Sequence, residues 1–346
     1  MPLEFRCATT DFSKESVDLL AVGVFAGEAV TTTYPVDTLD KAMGGVLAEF
    51  IAQQEFTGKK DQTLEVDTLG RLAARRLLLV GLGEPKEISS AVYRTFAARA
   101  GRNANGAKAK SLALVLPSKI QADDARALAE GVVLGAYRFT KYLTGDRLPK
   151  AELAHATVFT SGKTDKLKSA MNLGARIAKS ICITRDLVNE PPNELTPIVL
   201  ASHAQQIAKQ HGLDCKVFDR KALERKGMKL LLAVGQGSVN EPRLVHLTYK
   251  PAKPSKKKLV WVGKGITFDS GGICIKPAAG MGDMKSDMAG AANVIGLMAC
   301  VAEIAPDVEV HGIIATAENM LDGNAYRPGD IFGSLDGKTV EIINTD

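Results

Sequence analysis

A chain of 346 residues with 45% hydrophobic and 24% charged side chains has ordinary globular composition and is long for one core, so two domains are expected. Its formal net charge of +5 allows a basic patch but does not call for a nucleic-acid partner. Five scattered cysteines without a C-x-x-C pair, no secretory signal in residues 1–30 and no apolar run there long enough for a membrane span point to a reducing, cytoplasmic setting.

In chain order, apolar runs predict strands at 19–25, 76–80 and 112–116, with helical spacing at 89–104 and 123–142. The segment from Leu77 to Gly83 approaches a dinucleotide fingerprint, but Glu84, Pro85 and Lys86 follow and no third glycine opens a helix. It reads as a tight strand-to-loop turn. A polar stretch at 144–152 precedes a strand at 156–160 and a long helix at 165–187, which the paired prolines Pro191 and Pro192 stop. The expected division is an N-terminal α/β domain (1–164), a linking helix and proline-rich turn (165–195), and a C-terminal domain (196–346). There a helix at 197–211 starts with Thr196 as N-cap and proline in the first turn. Strands at 215–218, 244–249, 258–262, 308–315 and 339–343 follow, with helices between several of them. The fold class is α/β: two α/β domains, the second a mainly parallel sheet flanked by helices with a ligand site at the strand carboxyl ends.

The stretch 262–287 carries the chemistry. It leaves a predicted strand, holds six glycines, and contains Lys264, Asp269, Lys276 and Asp287 before a helix at 288–302. Lys264 and Asp269 are expected on this loop, Asp287 at the helix start, and Asp346 at the end of a strand over 340–346. If the two strands are near neighbours, these side chains converge. Three crowded carboxylates repel unless cations sit among them, and such sites suit hard divalent ions, with zinc also in range. A lysine there is either a counter-ion or an amine ligand, and spacing alone leaves a metal site and a structural ion-pair network both open.

The runs Gly263-Lys-Gly-Ile-Thr-Phe-Asp-Ser-Gly-Gly272 and Met284-Lys-Ser-Asp-Met-Ala-Gly-Ala291 resemble the leucyl aminopeptidase family of two-metal exopeptidases. Asn189-Glu-Pro-Pro-Asn-Glu-Leu-Thr-Pro197, Asn324-Ala-Tyr-Arg-Pro-Gly-Asp330 and Asn344-Thr-Asp346 agree with it. The resemblance runs from about residue 160 onward; earlier residues are similar in length and α/β character only. It implies two divalent metal ions, manganese or zinc. Asp269 would bridge both, Lys264 and Asp287 would bind the more exchangeable ion, and Asp346 the tighter one. Lys276 would be the catalytic lysine at the substrate carbonyl, and Met284 would line the pocket for the first side chain. The implied activity is removal of N-terminal, preferably leucine-like, residues from peptides by a cytoplasmic homo-oligomer, a hexamer when full length.

The family's closing motif continues Asn-Thr-Asp-Ala-Glu-Gly-Arg, whereas this sequence stops at the aspartate. The glutamate expected to bind both metals and the arginine expected to hold a bicarbonate base are not in it, so the expectation is a fragment of a longer aminopeptidase or a truncated, impaired product. The rival reading is a non-catalytic nucleotide- or nucleic-acid-binding protein with the sheet as scaffold, motivated only by the weak basic balance. His155, His203, His211, His246 and His311 show no ligand spacing, Cys274 reads as packing, and Glu318 and Asp330 read equally as supporting residues or loop polarity.

Overall fold

The apolar runs of the N-terminal half are too uniformly hydrophobic for either side to face water, and they become strands of a sheet covered on both faces. The computed structural model describes residues 3–27, 29–161 and 164–346 and divides into two units, Met1–Lys179 and Ser180–Asp346. The first contains β1 (Glu4–Ala8), β2 (Leu19–Phe25), α1 (Val36–Ala42), α2 (Val46–Gln53), β3 (Thr63–Asp67) and β4 (Arg76–Gly83). It continues with α3 (Ser90–Gly106), β5 (Ser111–Val115), α4 (Ala122–Ala136), β6 (His155–Phe159) and most of α5 (Asp165–Asn189), within which the division falls.

Its strands order as β1-β6-β5-β2-β4-β3, parallel except for β3, which pairs antiparallel with β4. Successive residues point to opposite faces. Leu19, Ala21, Leu78 and Val80 pack with Phe96 of α3, Leu128 of α4 and Met171 of α5. Leu20, Val22, Leu77 and Leu79 pack with Leu39 of α1 and Leu47 of α2. Each such valine, leucine, phenylalanine or methionine side chain contributes about 1.5–3 kcal/mol by leaving water. The helix expected over 123–142 is shorter: at Tyr137 the backbone turns to φ −58, ψ 133 and leaves the helix. Arg138, at the predicted continuation, instead donates to the Ala151 carbonyl.

The second unit holds the end of α5, then α6 (Pro197–His211), β7 (Asp214–Phe218), α7 (Arg220–Arg225), α8 (Lys229–Gly235) and β8 (Arg243–Tyr249). After these come β9 (Lys258–Asp269), α9 (Ala289–Ile304), β10 (Glu309–Asn319), β11 (Ile331–Gly333) and β12 (Thr339–Glu341). The Thr196 side chain caps α6 by accepting from Val199 N, as expected. The strand order is β7-β8-β10-β9. The parallel character expected of this sheet holds at β9–β10, the pair that carries the site, whereas β8 pairs antiparallel with both β7 and β10. The connection from β8 to β9, residues 250–257, is too short for a parallel crossover, so those strands run oppositely. β10 then returns over α9 parallel to β9, and must oppose β8. Residues 281–304 are apolar enough by length and composition to cross a membrane. Here that apolarity serves the core: Ala291, Ala292, Ile295 and Met298 pack with Val245, Leu247, Val310 and Ile314 of the sheet and with Leu200 and Ala204 of α6.

Candidate active site

β9 and β10 pair in register from Lys258 opposite Glu309 to Ile266 opposite Ala317, then slip so that Asp269 meets Asn319. The carboxyl ends of such parallel strands are where ligands collect in open α/β sheets. Lys264 and Asp269, expected on a loop, both lie within β9, because the strand does not stop at Val262. The glycines read as loop residues allow α9 to lie against the strand instead. A Cβ at Gly263 would stand 2.4 Å from the Gly290 carbonyl oxygen. The chain reverses only after Asp269, where Gly271 and Gly272 take φ of +88° and +64°, open to glycine with little strain.

This turn brings Lys276 back beside Asp269. Asp269 is buried, and its Oδ1 accepts from Gly271 N at 3.0 Å and Asn319 Nδ2 at 2.8 Å. Its Oδ2 lies 3.5 Å from Lys276 Nζ, which also pairs with Asp346. The hydrogen bond that Lys276 donates to Asp346 holds its ammonium above the ordinary lysine pKa, and the Asp269 charge adds to this against desolvation. A second pair joins the same strand to the turn before α9: Lys264 Nζ is 2.8 Å from Asp287 Oδ1 and 2.7 Å from Oδ2. Asp287 Oδ2 is buried and receives no well-directed hydrogen bond despite that proximity. Met284 is half-buried on the turn leading to Asp287, and its carbonyl accepts from Asp287 N.

Asp346 does not arrive on a strand beside β9. β12 ends at Glu341 and pairs with β11 in a separate ribbon. The terminal segment is pinned instead by buried Thr345. Its Oγ1 accepts from Cys274 N at 2.9 Å and donates to the Gly271 carbonyl at 2.7 Å. Its carbonyl accepts from Asn319 Nδ2 and from the Tyr326 hydroxyl, both at 2.8 Å. Asn319 therefore ties Asp269 to the segment carrying Asp346. Asn319 did not stand out in the sequence, and Thr345 entered only within the Asn344-Thr-Asp346 motif, with no role of its own. Glu318 is buried and binds Ser238 and Asn240, while Asp330 caps its own loop through Arg327.

Two ion-pair groups therefore stand here, Lys264 with Asp287 and Lys276 with Asp269 and Asp346. Among the described residues, no three His, Cys, Asp or Glu side chains group closely enough to hold an ion by themselves. A donor set for divalent cations here would draw on Lys264 as well as the carboxylates. The buried, unsatisfied oxygen of Asp287 and the cation-facing oxygens of Asp269 and Asp346 are the hard donors such ions take, so the residues fit.

Residues 182–346 match the cytosol aminopeptidase family, catalytic domain, and residues 21–146 match its N-terminal domain. A probable cytosol aminopeptidase of Aquifex aeolicus (strain VF5) is 38% identical over 99% of this chain and 68% of its own length. The chain belongs to the cytosol aminopeptidase family. The N-terminal match also corrects the expectation that this part shares only length and α/β character with the family. A probable cytosol aminopeptidase of Nostoc punctiforme (strain ATCC 29133 / PCC 73102) is 41% identical over 95% of this chain and 66% of its own. Among solved structures, a tomato leucine aminopeptidase mutant superposes with TM-score 0.86 at 30% identity, covering 99% of this chain and 68% of that one. The bottromycin maturation enzyme BotP in complex with Mn gives TM-score 0.78 at 34% identity, covering 95% and 65%. This chain spans about two thirds of the length of these relatives and solved structures.

Proposed function

We propose that this chain carries the metal-binding centre of an aminopeptidase that releases N-terminal residues, leucine-like ones preferred, from peptides in the cytoplasm, working as a homo-oligomer. The observation that carries this reading is the gathering of Lys276 with Asp269 and Asp346, and of Lys264 with Asp287, along the end of β9. Two divalent ions, manganese or zinc, held by Lys264, Asp269, Asp287 and Asp346 would polarise the scissile carbonyl, hold the free α-amine and acidify a water molecule. Asp269 suits a shared position because Gly271 N–H and Asn319 hold its buried carboxylate in one orientation. Lys276 is kept charged beside Asp269, and once Asp346 has another counter-charge its ammonium is available to the substrate oxygen as negative charge develops there. Met284, on the turn that carries Asp287, is assigned to the pocket for the first side chain.

Hydrolysis of a leucine anilide with added manganese or zinc tests the activity, and metal analysis of Asp269→Ala tests the site. Removing the carboxylate is expected to lower metal affinity by more than the roughly 100-fold typical of supporting residues. Unchanged stoichiometry in that variant would end this reading.

A further inference from the structure

The histidines without sequence spacing become neighbours through strand pairing. β8 and β10 are antiparallel with His311 opposite Thr248 and Ile313 opposite His246. Alternation sends Val245, Leu247, Val310 and Ile314 into the core with α6 and α9, so His246, Thr248 and His311 share the other face. There His246 Nε2 lies 2.9 Å from His311 Nδ1, and Thr248 Oγ1 lies 3.3 Å from each. All three residues are half-buried.

We propose that His246 and His311, supported by Thr248, form a transition-metal site separate from the carboxylate–lysine centre, taking an imidazole-seeking ion such as zinc or copper(II). Two ring nitrogens and a hydroxyl oxygen already face one another. An ion at 2.0–2.1 Å from two imidazole nitrogens at a tetrahedral angle holds them about 3.3 Å apart, so the rings need open only slightly. The other ring nitrogen of His311, Nε2, lies 2.9 Å from Glu309 Oε1. A carboxylate there fixes the Nε2–H tautomer and turns the Nδ1 lone pair toward His246, the outer arrangement usual around metal-bound histidine. Lys258, 3.0 Å from Glu309, keeps that carboxylate ionised.

Proton bookkeeping allows the change. With the His311 proton on Nε2, His246 donates its Nε2 proton to His311 Nδ1. Moving that proton to His246 Nδ1 opens both lone pairs without net proton release. Burial, followed by the charges of His311 and Lys216, lowers the His246 pKa and favours its neutral form. Lys216, opposite His246 on β7, opposes a bound cation, but it is exposed and solvent screens it. Imidazole pairs favour zinc, copper and nickel, whereas the other centre offers only oxygen and amine donors, so the two are chemically distinguishable.

The test is copper(II) titration of the chain with pulsed EPR, which detects imidazole nitrogen coupled to the ion. One equivalent with imidazole coupling is expected, lost in His246→Gln and in His311→Gln and retained in Asp269→Ala. Glu309→Gln should weaken binding about 10–100-fold. Should the glutamine variants not fold, ¹⁵N NMR of the unaltered chain with zinc should show coordination shifts at His246 Nε2 and His311 Nδ1. Imidazole coupling that persists in both glutamine variants overturns the proposal. So does excess zinc that leaves both ring nitrogens unshifted.

Discussion

Strands β4 and β9 begin as similar apolar runs, Leu77-Leu-Leu-Val80 and Leu259-Val-Trp-Val262, and finish in opposite settings. β4 lies between β2 and β3, and Leu77, Leu78 and Leu79 are at most 1% exposed. β9 is the outer strand of its sheet among the described strands, and there Leu259 is 49% and Val262 73% exposed. Along β9 the order inverts, since its later residues Gly263, Thr267 and Asp269 are buried. An apolar run therefore identifies a strand without saying how many neighbours cover it. In β9 it is the polar end that the surrounding elements enclose, because Asn319, the Gly271 amide and Lys276 supply the partners a buried carboxylate needs.

The contrast can be broken most directly at β4. Leu79→Ala should cost about 2–5 kcal/mol, since the close-packed second core around it cannot collapse fully into the void, and chemical denaturation measures this. A loss below 1 kcal/mol would mean that this sheet is not the rigid, doubly covered layer described. At the polar end of β9, Lys276→Met should lower kcat about 10²–10³-fold with metal content retained, the usual effect of deleting a group that meets developing negative charge. An equal loss of bound metal would reassign Lys276 to holding Asp269 and Asp346 in place. Asn319→Ala leaves Asp269 Oδ1 and the Thr345 carbonyl each short of one donor, and a fall in metal affinity of about 10–100-fold is expected by calorimetric titration. The smallest effect belongs to the exposed start of the same strand. Val262→Thr should change stability by no more than about 0.5 kcal/mol, and a larger loss would reveal a covering element over β9.

Much of the architecture was legible because it is local. The β2 run, the Thr196-capped α6 and the proline stop after α5 each follow from neighbouring residues, through apolar periodicity, a side-chain cap or a missing amide. The residue types of the candidate site were legible in the same way, as acidic and lysine side chains set in an unusual glycine-rich stretch. What the sequence could not carry was adjacency. The glycines suggested a loop, and only the closeness of Gly290 to Gly263 reveals that they let a helix rest on a continuing strand. The antiparallel placing of β8, the Thr345 clasp that delivers Asp346 and the meeting of His246 with His311 depend on pairings between residues tens of positions apart. Periodicity reports which face a side chain takes. Register and strand order, set by loop length and by the packing of α9, decide what that face meets.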